Sequence, residues 1–455
     1  MKNRFAICGT IVLLLLLSAC GAPQTLDFSY APEGEELSSL MVETSQTHRA
    51  ELEHVPSAAD FADAISDDPA SAGLLSESEV ESLLRGHAAM ETVSKEQAQS
   101  DVSLLFRTLQ SAYGAYEYFG QEKFDAAEDA VTQWLSSQDD EIKVSALGEK
   151  LQESLAFMLA HDAHAMIYEP AAEEIEAQVR YEYFFADGFY FSKDVNGSYY
   201  MVNDGERWTL SSFSDEHVSV QPTLLQDGRI VYQPTLFALR KDAVQSSVTL
   251  KNSSGKAKIY RLDWTESQPL DVDLGTLDYR LIQEDGLTYV SLRSFVSGTY
   301  DNMLARYARE GAKARGSKAV IYDLRGNVGG SDSWPRKWIQ SFLGTQNSIE
   351  TSMLYAQKNS ALFAAENSES LLPEDEGTCF AREVHGTWYE NDIPIIVLVD
   401  DHCGSSGEGA VQLLKTLDNV LIVGSNTAGY QLCGNISTFT SVSYTHLRAH
   451  ETGRN

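Results

Sequence analysis

The sequence predicts an α+β protein of several domains: a helical N-terminal region, a small β-rich middle domain and a C-terminal α/β domain. Three patterns predict it. Apolar residues recur at three- and four-residue steps over 76–161. Aromatic and β-branched residues alternate with polar ones over 181–264. From about Leu277 onward, apolar β-branched runs alternate with helix-like runs. With 455 residues the chain can build two or three cores. No internal repeat is visible.

Residues 1–20 read as a targeting segment. Lys2 and Arg4 precede the apolar run 11–17, which is short for a membrane span and has signal-peptide flanks. Leu17-Ser18-Ala19-Cys20 resembles a bacterial lipobox. That resemblance implies a diacylated Cys20 as the mature N-terminus and a lipid anchor on the extracytoplasmic face of a bacterial cell membrane. A plain secretory signal with an incidental cysteine is the alternative. Residues 21–70 are rich in Ser, Glu, Ala and Pro and read as a flexible tether.

Residues 71–180 form the predicted helical region. Leu104, Leu105, Leu109, Tyr113 and Tyr116 make one apolar stripe, and Leu147, Leu151, Leu155, Met158 and Leu159 another. Breaks at Gly120 and 136–140 divide the region into three or four helices. His161-Asp162-Ala163-His164 follows the second stripe. The β-rich domain is expected over 181–270. Asp187-Gly188, Asn196-Gly197, Asp204-Gly205 and Asp227-Gly228 mark hairpins, and 247–262 reads as a terminal hairpin around 252–255.

The α/β domain is expected over 271–441. Strands are predicted at 287–295, 319–324, 394–399 and 420–423, with helices at 300–310, 334–343 and 407–417. Residues 442–455 are expected to be a non-native tail. The string 442–452 matches a translated sequencing adapter, which places the end of native sequence near Ser441 and discounts His446 and His450.

A formal net charge of -32 disfavours nucleic acid, where Lys and Arg must neutralise phosphate. It also disfavours adsorption to an anionic membrane surface and reads as a solubility charge. Setting aside Cys8 and Cys20 leaves Cys379, Cys403 and Cys433, so at most one internal disulfide can form. No His-Glu-x-x-His or paired-cysteine spacing calls for a metal, and 326–330 lacks the Lys-Ser/Thr ending of a phosphate loop. No cofactor is expected.

Two stretches carry chemistry. Asp323-Leu324-Arg325-Gly326-Asn327-Val328-Gly329-Gly330 and Cys403-Gly404-Ser405-Ser406-Gly407-Glu408 each follow a strand and precede a helix. A hydroxyl nucleophile beside unobstructed backbone N–H groups is what a serine hydrolase needs.

With Gly424-x-x-Thr427-x-Gly429 and the strand 287–295, these motifs resemble the C-terminal-processing and tricorn-core family of serine peptidases over about 277–430. The resemblance implies a crotonase-like α/β catalytic domain and a PDZ-like module in the 181–270 segment. It makes Ser405 the nucleophile, with Ser406 as runner-up. One branch of the family places a lysine base where this chain has Tyr430, a poor base at neutral pH. The tricorn-like branch takes a histidine from an Asp-x-His segment, here His164; Ala163 stands where that branch has a serine. Histidine titrates near neutrality and suits the role.

His161 and His402 are lesser alternatives to His164, and Cys403 is a rival nucleophile. The oxyanion donors are expected among Gly329, Gly330 and Ser406. Glu408 either orients the serine turn or satisfies the helix dipole. Asp323 and Arg325 are expected to hold the loop. The group that orients His164 is not identifiable from the sequence. The implied function is extracytoplasmic peptide hydrolysis, with peptide added as a strand beside 326–330. A catalytically inactive peptide- or ligand-binding lipoprotein, or an esterase on the same scaffold, are the alternatives.

Overall fold

The computed structural model describes residues 37–85, 90–168, 181–186, 188–203, 205–225, 229–239, 246–266, 279–298, 301–434, 436–440 and 446–450. The signal segment and Cys20 lie outside them. The chain divides into two compact units, Met1–Leu40 with Tyr181–Gln268, and Met41–Arg180 with Pro269–Asn455. Among the described residues no helix is long and apolar enough to cross a membrane.

The first unit is built from two antiparallel sheets. One runs Ala257–Leu262, Ser246–Lys251, Glu206–Phe213, Tyr199–Asn203, Ser192–Lys193; the other runs Trp264–Glu266, Tyr181–Ala186, Ile230–Leu239, Val218–Leu224. Alternation along the strands buries Trp208, Val248 and Leu250 from one sheet and Tyr232 and Leu236 from the other. No helix occurs among its described residues in 181–266.

In the second unit, helices Glu77–Arg85, Lys95–Ala112, Gln121–Ser136 and Val144–Ser154 pack with the short turns Tyr116–Phe119 and Ala156–Leu159. Leu109, Val131, Leu135, Leu147, Leu151, Leu155 and Met158 are wholly buried between them. Ser94 caps the second helix by accepting the Gln97 N–H at 3.2 Å.

Part of the segment 21–70, expected as a tether, lies among the described residues and contains regular structure. Leu37–Glu53 is a helix. Met41, Ser45, His48 and Leu52 recur on one face, and the first three are buried. Ser45 Oγ accepts the Asn419 N–H at 2.9 Å, and Ser352 Oγ donates to the Leu52 carbonyl. Polar residues on the other face hid the helix from a composition argument.

The five-stranded sheet of the second unit has the order Arg280–Glu284, Leu287–Ser291, Ala319–Asp323, Ile395–Val399, Val420–Gly424. The first pair is an antiparallel hairpin turning at Asp285-Gly286; all later pairings are parallel. Helices Asp301–Glu310, Ser333–Leu343 and Ser406–Leu414 cover it, burying Tyr307, Trp338 and Ala410 against Val320, Tyr322, Ile395 and Val397. Strands buried on both faces explain the unbroken apolar runs in the sequence. Smaller sheets belong to the same unit. Met353–Lys358 and Cys379–Val384 form a hairpin, and His446–His450 pairs with both Ile436–Thr440 and Met166–Tyr168.

Candidate active site

Parallel register fixes the site. Strands Ala319–Asp323 and Ile395–Val399 are neighbours, so the turns leaving their C-terminal ends lie side by side, where open α/β sheets place ligands. The turns are stitched together. Gly404 N–H donates to the Asn327 carbonyl at 2.9 Å, and Gly326 N–H to Asp400 Oδ1 at 2.8 Å. Ser406 Oγ donates to the Gly330 carbonyl at 2.7 Å. Asp323 anchors the base of the glycine loop. It accepts from Arg325 Nε at 2.9 Å, Arg325 Nη2 at 2.8 Å and the Tyr289 hydroxyl at 2.8 Å. Burial acts to raise its pKa, but these donors win and hold the carboxyl below its usual range.

Ser405 precedes helix Ser406–Leu414 with φ 53° and ψ -120°. A non-glycine residue there is uncommon and strained. Ser405, Ser406, Gly330 and His164 line one cavity of about 390 Å³. The strand Met353–Lys358 contributes Met353 to Ala356 to its wall.

The glycine loop reaches the serine directly. A Cβ on Gly329 (φ 100°) would stand 2.6 Å from Ser405 Cβ and 3.0 Å from the Ser406 nitrogen. Gly329 N–H itself donates to Asn327 Oδ1 at 3.0 Å. In this structure that N–H is engaged by the Asn327 side chain, and the missing Cβ gives the serine room. Gly330 (φ 133°) lies so close to Phe295 that a Cβ would stand 2.1 Å from its carbonyl carbon. Phe295 N–H donates to the Gly329 carbonyl and Ser331 N–H to the Phe295 carbonyl. The N–H groups of Gly330 and Ser406 donate to no other group among the described residues.

Glu408 is 4 % exposed and gathers donors from both sides. Its Oε2 accepts the N–H of Ser405 at 3.1 Å and of Tyr430 at 2.8 Å; its Oε1 accepts Thr427 Oγ1 at 2.6 Å and Gly429 N–H at 2.8 Å. A first-turn glutamate serving only the helix dipole would not converge on three groups of a second segment and on its own cap.

His164 is 2 % exposed. Its Nδ1 lies 2.8 Å from the Cys433 carbonyl. A carbonyl can only accept, so Nδ1 carries the proton and Nε2 is the basic nitrogen. Asp162 accepts the His164 N–H at 3.1 Å, and its other oxygen accepts the Tyr113 hydroxyl at 2.9 Å. The Tyr430 ring sits 4.4 Å from the imidazole, edge to face, and packs on Gly404.

The rivals are elsewhere or otherwise engaged. His161 is exposed, with its ring 6.3 Å from Phe119. His402 lies between Asp400 and Asp401. Cys403 is wholly buried, and burial followed by the charges of Glu408, Asp400 and Asp323 pushes its thiol well up, away from the thiolate a nucleophile needs. Cys379, Cys403 and Cys433 are all free thiols. Sequence reasoning missed the Cys433 carbonyl and Tyr113, because a backbone acceptor and a core tyrosine leave no motif.

Residues 286–451 match the sequence pattern of Peptidase family S41. The chain carries a family S41 peptidase domain. It is therefore a serine-type peptidase with a peptide or protein substrate. No curated protein sequence matches it. Among solved structures it is similar to mature CPAF complexed with lactacystin, at 13% identity over 79% of this chain and 91% of that one, with a TM-score of 0.39. It is also similar to the photosystem II D1 C-terminal processing protease, at 14% identity over 78% and 88%, TM-score 0.33. A putative S41 protease from Bacteroides fragilis NCTC 9343 aligns at 14% identity over 77% and 85%, TM-score 0.33.

Proposed function

We propose that this S41 peptidase is an extracytoplasmic endopeptidase, lipid-anchored through Cys20 to a bacterial cell membrane, working through a Ser405–His164 pair. The finer fold reading, a crotonase-like catalytic domain with a PDZ-like module, belongs to the same proposal. The parallel sheet with its strand–turn–helix at Ser405 favours the first part; the second rests on the position of the β unit in the chain.

The observation that carries the mechanism is the shared cavity of Ser405 and His164, with His164 Nδ1–H spent on the Cys433 carbonyl. Ser405 Oγ attacks the scissile carbonyl carbon as His164 Nε2 takes its proton. The oxyanion rests against the N–H groups of Gly330 and Ser406. Collapse breaks the C–N bond, and the imidazolium returns the proton to the leaving amine. Water then attacks the acyl-enzyme by the same proton path. Glu408 holds the serine turn, and the Cys433 carbonyl takes the orienting place that a carboxylate fills elsewhere. Peptide lies as an extended strand between the glycine loop and the strand Met353–Lys358.

A fluorophosphonate probe tests this reading. Folded protein is expected to form an adduct at Ser405, absent in Ser405→Ala and strongly slowed in His164→Ala. A folded wild type that takes no label would mark the scaffold as a binding protein.

A further inference from the structure

Three consecutive residues at the end of strand Ile395–Val399 are not used by the reaction. Asp400 Oδ2, Asp401 Oδ1 and His402 Nδ1 lie within 4.8 Å of one another. Each of the three atoms is buried, and none has a hydrogen-bond partner among the described residues. His402 Nδ1 stands 3.0 Å from Asp401 Oδ1 and 4.0 Å from Asp400 Oδ2, separations typical of neighbouring ligands about one ion. Asp400 is only 4 % exposed, so an unsatisfied oxygen there is costly.

The rest of the turn holds these donors in place. Asp400 Oδ1 accepts Gly326 N–H at 2.8 Å and His402 N–H at 3.2 Å, which fixes the plane of the carboxylate and aims Oδ2 at the imidazole. Arg325 feels the charge of Asp400 but is engaged by Asp323, through Nε at 2.9 Å and Nη2 at 2.8 Å. Two carboxylates and an imidazole therefore converge, and among the described residues no lysine or arginine is paired with either carboxylate. The side chains of Asp401 and His402 are about a third exposed, which opens a path from solvent.

We propose that Asp400, Asp401 and His402 form a divalent-cation site that braces the serine turn against the glycine loop. One imidazole nitrogen with two carboxylate oxygens suits a first-row ion such as Zn²⁺; Ca²⁺ prefers an all-oxygen shell. Water completes the coordination. The site is independent of the peptidase mechanism, since none of its ligands touches the cavity.

Isothermal titration of chelator-treated full-length protein with Zn²⁺ tests it. Wild type is expected to bind one Zn²⁺ per chain. Affinity is expected to fall about tenfold or more in His402→Ala and in Asp401→Asn, and Ca²⁺ is expected not to compete. Zn²⁺ should raise the unfolding midpoint of wild type and leave that of the double variant unchanged. Fluorophosphonate labelling of each variant without metal reports that the fold is intact. Absence of saturable Zn²⁺ binding by wild type would reduce the trio to an ion-paired turn. A labelled His402→Ala protein that binds Zn²⁺ like wild type would equally overturn the site.

Discussion

Gly329 and Ser405 are packed against each other with no side chain between them: a Cβ on the glycine would stand 2.6 Å from the serine Cβ. Because Gly329 N–H is bonded to Asn327 Oδ1, its contribution is space. Gly329→Ala adds a methyl group at φ 100° and pushes on the nucleophile. Overpacking of this kind costs about 1–3 kcal/mol. A displacement of about 1 Å at a nucleophile lowers kcat about 100-fold. We expect Gly329→Ala to fold, to bind peptide with little change in KM, and to lose kcat on that scale. A variant with wild-type kcat would show that the contact does not position the serine.

Glu408 ties Ser405 to the segment 427–430 through one buried carboxylate. Glu408→Gln keeps the shape but converts one acceptor oxygen into a donor facing N–H groups. At least one backbone N–H is then left without an acceptor, at about 1–3 kcal/mol. Loss of stability of that size is expected in urea unfolding. Fluorophosphonate labelling should slow by about 10- to 100-fold, since the same side chain holds the Ser405 N–H and the segment beside it. Full stability with full labelling would assign the carboxylate to the helix dipole alone.

Much of this arrangement was legible in sequence, and for a physical reason. Strands such as Ile395–Val399 are buried on both faces and must be apolar throughout. Turns such as 326–330 need bare Cα atoms where two backbones touch. Both demands write themselves into residue type. What was not legible depends on the backbone or on distant partners. The Cys433 carbonyl at His164 has no side-chain signature. The helix Leu37–Glu53 buries one narrow face in an otherwise polar stretch, and composition reads that as tether. The hairpin of Met353–Lys358 and Cys379–Val384 joins strands separated by a helix, Ala361–Glu366, so no tight-turn signal announces it.

Ser405 and His164 act on one proton, so their removal is not additive. Each single alanine variant is expected to lower kcat by about 10⁴-fold or more, and the double variant to be little worse than either. A steady-state series on one peptide substrate measures this. Additive losses would mean that the two side chains assist separate steps, contrary to the shared cavity.

Asp323 makes the stability of the glycine loop depend on pH. Its carboxyl titrates below the usual value in the folded chain because Arg325 and Tyr289 outweigh the cost of burial. A depressed folded pKa gives stability that is present above the unfolded value of about 3.9 and is lost as pH falls through the folded one. Asp323→Asn removes the charge while Arg325 and Arg293, whose Nη1 lies 3.4 Å from Asp323 Oδ1, remain in place, and breaking a buried pair from one side costs about 3–5 kcal/mol. At pH 7 the variant should therefore unfold at clearly lower urea than wild type. As pH falls below the unfolded value the unfolded chain takes up the proton first, and the difference should shrink until the folded carboxyl, with its lowered pKa, is protonated too. A difference constant from pH 7 to pH 3 would mean that the carboxylate stabilises the loop through its shape and not through its charge.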